Sequence, residues 1–97
     1  MRVISIKKLR DFWLIHNDSE QQLKAWYQEA EKSTWKTPAD IKKKYPKASI
    51  VADNRVVFNI KGNDYRLVVK IHYDREIVYI RFIGTHTEYD AIDVTKI

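Results

Sequence analysis

Residues Arg55–Asp90, RVVFNIKGNDYRLVVKIHYDREIVYIRFIGTHTEYD, decide the fold. The stretch reads as three consecutive strands, Arg55–Ile60, Tyr65–Tyr73 and Ile77–Ile83. Tight turns at Lys61-Gly62-Asn63-Asp64 and Asp74-Arg75-Glu76 join them, and a short polar segment follows. The runs between the turns are rich in Val, Ile, Tyr and Phe, which suit a half-buried pleated surface. Successive side chains of a strand point to opposite faces. One face then collects Val56, Phe58 and Ile60, with Tyr65, Leu67, Val69, Ile71 and Tyr73, and with Val78, Ile80 and Phe82. The other displays Arg55, Arg66, Lys70, His72, Tyr79 and Arg81, with Ile83. A meander with one apolar face and one open cationic face is expected.

Upstream, Ala48–Ala52 reads as a further strand that turns through Asp53-Asn54, a hairpin signal weaker than Asn-Gly. Before it, Thr37-Pro38-Ala39-Asp40 is a helix start: Thr as N-cap, Pro at the first helical position, Asp three residues after the cap. This short helix must stop before Pro46, which disfavours helix at Tyr45. It carries Lys42, Lys43 and Lys44, a run that reads as a solvated face or as a phosphate-contacting edge. Leu23, Trp26, Tyr27 and Ala30 form the stripe of a longer helix, with Asp18 as its cap. Ile6, Leu9, Phe12 and Trp13 form another, with Ser5 as its cap. Met1–Ile4 is short and β-branched, and suits a strand. Helices before strands indicate an α+β fold. We expect one domain over residues 1–97, an antiparallel sheet covered on one face by an N-terminal helical hairpin and a short third helix.

Composition narrows the function. The formal charge of +5 on 97 residues points to an anionic partner, nucleic acid first. There is no cysteine, which excludes thiol catalysis and favours a reducing, cytoplasmic setting. No apolar run approaches the roughly 18 residues of a membrane span, and the N-terminus lacks signal-peptide character. With two isolated glycines no phosphate-binding glycine loop can be built. His16, His72 and His86 are not spaced as a metal set, so neither metal nor cofactor is expected.

What remains suits RNA. Cleavage by the 2′-hydroxyl needs a proton acceptor, a cation for the developing phosphorane charge and a proton donor for the leaving oxygen. Arg66, Lys70 and Arg81 lie on the expected open face, and arginine grips phosphate with a planar fork. Arg81 sits among apolar neighbours, where a charge is costly unless paired. Histidine suits acid or base work near neutrality, which makes His86 the candidate proton carrier. Tyr79 and Tyr89 suit base stacking, and Tyr89 also suits proton transfer. His72 faces the same side but closes a turn. Arg55, Lys61 and Asn59 are peripheral candidates for RNA binding, as are Lys42 and Lys43. Glu88 and Asp90 read as caps of a C-terminal helix.

The runs RVVFNIKGNDYRLVVKIHYD and VYIRFIGTHTEYD, with the upstream WKTPADIKKKYPKA, resemble the HigB family of bacterial toxins, within the RelE-like superfamily. The likeness covers nearly the whole chain. Gly84–Asp90, G-T-H-x-E-Y-D, is its most distinctive piece. The resemblance implies a metal-independent toxin that cuts mRNA, often on the translating ribosome, and that is neutralised by a HigA-type antitoxin. By motif position it implies Arg66, Lys70, Arg81, His86 and Tyr89 as the catalytic set. A non-catalytic RNA- or DNA-binding module would share the charge and the aromatics.

Overall fold

A computed structural model of the chain describes residues 1–97. Five strands form one sheet: β1 (Arg2–Ile4), β2 (Ser49–Val51), β3 (Arg55–Ile60), β4 (Tyr65–His72) and β5 (Ile77–Thr85). Their order is β1-β5-β4-β3-β2. The meander β2 to β5 is antiparallel as expected, but β1 adds to β5 in parallel, so the sheet is mixed. Local chemistry explains the turns. Asp53 and Asn54 adopt φ of 60° and 63°, the left-handed pair that a primed hairpin turn needs. Gly62, at φ 64°, follows Lys61 into the same region in the next turn.

Four helices accompany the sheet: α1 (Ile6–Ile15), α2 (Glu20–Lys32), α3 (Pro38–Lys44) and α4 (His86–Asp90). Helices α1 and α2 bury Leu9, Phe12, Trp13, Leu23, Trp26 and Ala30 in the core formed with Val56, Phe58, Ile60, Leu67, Val69 and Ile71. Phe58 stands at the centre. Its ring centroid lies 5.4 Å from that of Trp26, 5.1 Å from Tyr45 and 6.3 Å from Trp35. Truncating such a residue to Ala typically costs about 3–5 kcal/mol.

The α3 cap forms as read, with Asp40 reaching back to the Lys36 and Thr37 amides at 2.9 and 3.2 Å. The other two expected caps do not. Ser5 is left-handed at φ 78° and makes no side-chain cap bond. Asp18 lies in a 3-10 turn, Asn17–Ser19, and accepts a 2.6 Å hydrogen bond from the Tyr65 hydroxyl. That bond ties the helical layer to β4. It holds the Asp18 carboxyl below its ordinary range and pushes the Tyr65 phenol up to about 12.

The largest departure from the sequence reading is in β5. Val68 pairs with Phe82 and Val69 with Ile80, so Arg81 is the extra residue of a β-bulge. Beyond it the alternation inverts. Phe82 joins Tyr79 on the face opposite the helices, and Ile83 packs against the core instead. Arg81 is exposed on the bulge, which removes the cost of a buried charge and with it any need for an ion-pair partner.

The face away from the helices is also not bare. Val57 and Val68 lie on it, yet they are 3% and 0% exposed. Arg55, on the same face, is 8% exposed and donates from Nε and Nη2 to the Ile97 backbone oxygen at 3.0 and 2.5 Å. Helix α4 leaves the sheet beside Arg66 and Gly84, whereas Arg55 lies beside Lys70. The segment after α4 must therefore cross the face between those points, over Val68 and Val57. It forms a strap fastened by Arg55.

Candidate active site

The strap divides the basic face in two. Arg66 and Lys70 are four residues apart on β4, roughly 13 Å at strand rise. Lys70 neighbours Arg55 and Tyr79, and the His72 and Tyr79 rings meet edge-on at 5.2 Å. Arg66 neighbours Asn59 and Gly84. The five residues expected to act together thus fall into separate places: Arg66, His86 and Tyr89 at one end, Lys70 at the other, Arg81 on the bulge.

The Arg66 end is the organised one. The Arg66 guanidinium lies 5.8 Å from the Tyr89 ring centroid, a cation–π approach, and Nη1 donates to the Asn63 carbonyl at 2.9 Å. His86 Nδ1 lies 3.0 Å from Asp90 Oδ2. Both side chains are exposed there, and Nε2 has no partner in the protein. The His86 amide donates to the Asp64 carbonyl at 3.0 Å, pinning the helix start to the β3–β4 turn. Thr85 and Glu88 form a capping box at the same point. Bonds from the Thr85 backbone N–H, then from its hydroxyl, hold the Glu88 carboxyl below its ordinary range. Glu88 is a structural anion near neutrality, not a proton donor.

Gly84 makes the close approach of α4 possible. A Cβ there would stand 2.5 Å from Phe82 Cζ and 3.1 Å from Glu88 Oε1. Phe82 and Gly84, two apart on the strand, share a face by alternation, and the bulge at Arg81 turns that face away from the helices.

Several expected RNA contacts have other work. Arg55 is committed to the strap and to the Asp53 carbonyl, so it is not free for phosphate. Lys42 donates to the Pro46 and Ala48 carbonyls at 2.6 and 2.8 Å, closing the end of α3. Lys43 is exposed on the same helix, which packs through Ile41 on the core side of the sheet. Lys61 faces Asp18 of the helical layer at 3.7 Å. Asp90, read only as a cap, proves to be the partner of His86, a relation visible as the spacing i, i+4 only once residues 86–90 are known to be helical. Asn63, read as a turn residue, holds Arg66 through its carbonyl. No group of three or more His, Cys, Asp or Glu side chains is placed to hold a metal ion.

Comparison with known families places the chain among the toxic components of toxin-antitoxin systems. The family described as HigB_toxin, RelE-like toxic component of a toxin-antitoxin system, matches residues 19–92, and the chain belongs to it. Along its length the chain is similar to "mRNA interferase toxin HigB" of Escherichia coli (strain K12), 31% identical over 101 residues that cover 99% of this chain and 97% of the relative. The "mRNA interferase HigB" proteins of Escherichia coli O157:H7 and Shigella flexneri match with the same identity and coverage. As the toxic component of such a system, the chain has an antitoxin as partner. No helix is long and apolar enough to cross a membrane.

Proposed function

We propose that residues 1–97 form a single ribonuclease domain that cleaves mRNA through attack of a 2′-hydroxyl on the adjacent phosphate. The curated relatives carry the name mRNA interferase. The observation that carries the residue assignment is the convergence of Arg66, Tyr89 and the His86–Asp90 pair at one rim of the sheet. In the reaction the 2′-oxygen bonds to phosphorus as the bond to the 5′-oxygen breaks. The products are a 2′,3′-cyclic phosphate and a free 5′-hydroxyl. One proton leaves the 2′-oxygen and one arrives on the 5′-oxygen.

Arg66 suits the phosphorane charge: its fork is fixed by the Asn63 carbonyl and backed by the Tyr89 ring. His86 suits proton transfer, with the Asp90 carboxylate 3.0 Å from Nδ1 placed to steady the imidazolium that forms. Tyr89 keeps Arg66 in place and offers a stacking face. Lys70, Tyr79 and the exposed Arg81 serve substrate further along the backbone rather than the cut itself. We place the reaction on the translating ribosome and the neutralising partner among HigA-type antitoxins, both from the family resemblance.

The test is induction in bacteria with mapping of mRNA ends. Wild type arrests growth and yields ends bearing 5′-hydroxyls. Arg66→Ala and His86→Ala each lower cleavage by about 100-fold or more, the scale of losing a charge stabiliser or a proton carrier. Full toxicity in the double variant overturns the assignment. Salt-sensitive RNA binding with no cut product, ribosomes supplied, favours the non-catalytic module instead.

A further inference from the structure

Beside the Arg66 rim the molecule carries a cleft of about 620 Å³ that the reaction above does not use. It opens where β2 ends. β2 pairs only with Arg55–Val57, so Phe58–Ile60 have no strand partner on that side. Trp26, Tyr45 and Phe58 form its aromatic walls, Asn59 and Asn63 its amide mouth, and Lys47 part of its rim. Its size lies within the roughly 300–1,000 Å³ of small-molecule sites.

Three observations point to a ligand. First, Trp26 is 2% exposed, and its indole N–H is the one buried side-chain donor or acceptor without a partner. Such a group costs about 1–3 kcal/mol when left unmet. Second, Tyr45 keeps its proton, because burial first and Glu29 second push its phenol up to about 12. Trp26 and Tyr45 both line the cleft, so an unmet indole donor and a protonated phenol stand in its wall. Third, the cleft is continuous with the rim: Asn59 is the cross-strand neighbour of Arg66, and Asn63 accepts from it. Lys44 is engaged by Glu29 at 3.6 Å, whereas Lys47 is exposed and makes no ion pair.

We propose that this cleft receives one unpaired base of the RNA next to the cut and sets the base preference at that position. The inference rests on the ribonuclease reading above. A nucleobase is flat, carries ring and carbonyl acceptors for the Trp26 and Tyr45 donors, and arrives with a phosphate for Lys47. Single-stranded RNA is read in this way, by stacking and by hydrogen bonds to splayed bases. A nucleotide in a strand has a phosphate on each side, so a base seated between Tyr45 and Asn59 directs one toward Lys47 and the other toward Arg66, the cross-strand neighbour of Asn59. An acidic antitoxin segment would meet the same lysine but would bring no flat ring to the aromatic walls.

The experiment has two arms. In the first, the wild-type protein is titrated with each of the four ribonucleoside 3′-monophosphates while the indole N–H resonances are followed. The Trp26 resonance shifts with at least one of them, and the Trp13 resonance on the far side stays put. In the second, mRNA ends are mapped after induction of wild type, Trp26→Phe and Tyr45→Phe. Base discrimination at one position beside the cut falls by about tenfold in the variants, the scale of one lost hydrogen bond. A Trp26 resonance unmoved by every nucleotide overturns the proposal, whether or not the variants fold. So does one that moves only on addition of antitoxin, which assigns the cleft to the protein partner. Unchanged base preference in folded variants overturns it as well. Absence of cut ends from wild type removes the ribonuclease reading instead. A nucleotide-dependent shift would then still support the pocket as a nucleotide site.

Discussion

Replacing Arg55 by Ala tests the strap across the sheet. The guanidinium donates three bonds, two to the Ile97 oxygen and one to the Asp53 carbonyl at 3.0 Å. Bonds from a charged donor contribute roughly 1.5–3 kcal/mol each in mutational series. The simple sum overstates the loss, because both carbonyls regain water once the side chain is gone. A net loss of about 2–3 kcal/mol is expected. For a domain of this size about 1 kcal/mol moves Tm by roughly 4–8 °C, so Tm falls by on the order of 10 °C. Arg55→Lys keeps a charge but not the fork and falls between the two. The decisive assay is hydrogen exchange at the amides of residues 92–97. They exchange faster in Arg55→Ala, and the Val57 and Val68 amides follow in part as their cover loosens. Equal exchange in the segment, with Tm shifted by less than about 2 °C, refutes the reading of Arg55 as the fastener.

Three further outcomes follow from the geometry. Gly84→Ala sets a methyl against Phe82 and Glu88, lowers stability by about 1–3 kcal/mol and reduces cleavage, while Phe82→Leu in the same chain recovers part of the stability in urea melts. Tyr65→Phe removes a bond whose contribution depends on pH at both ends. Asp18 titrates lower in the folded protein, so its share is present above the ordinary 3.8 and lost as pH falls through the folded value. Tyr65 titrates higher, so its share is present below 10.0 and lost as pH rises toward about 12. The stability gap between wild type and Tyr65→Phe is therefore widest between those limits, and a gap that does not change with pH contradicts the account. Lys42→Met costs about 1 kcal/mol in urea melts through the two carbonyls it leaves, and lowers cleavage far less than Arg66→Ala does.

Much of this architecture was legible because it depends on local rules. Thr37-Pro38 starts a helix for reasons contained in four residues, and Asp53-Asn54 turns a hairpin because both tolerate positive φ. The core face of β3 and β4 follows from simple alternation. What was not legible depends on residues distant in sequence. Asp18 could have capped α2 by its own chemistry, but a tyrosine 47 positions away competes for it and wins with a 2.6 Å bond. Arg55 looks like a free cation until the chain returns to it from residue 97. The bulge left one trace, a charge at Arg81 within an otherwise apolar run, and cost was the wrong reading of it: the residue was outside the alternation altogether. The candidate site divided in the same way. Arg66, His86 and Tyr89 met because a tight turn and a short capped helix bring nearby segments together, whereas Lys70 was separated from them by a segment whose path no periodicity reveals.

The surplus position in β5 has a consequence beyond its own charge. If the ladder ran through Arg81 with no bulge, every later residue of the strand would rotate to the opposite side. The benzene ring of residue 82 would be driven in among the helices, the isoleucine after it would emerge into water, and the short helix would set out from the wrong surface. Chemistry at the rim thus depends on a link that steps out of the ladder: because position 81 is looped out, the imidazole is delivered on the side away from the helices.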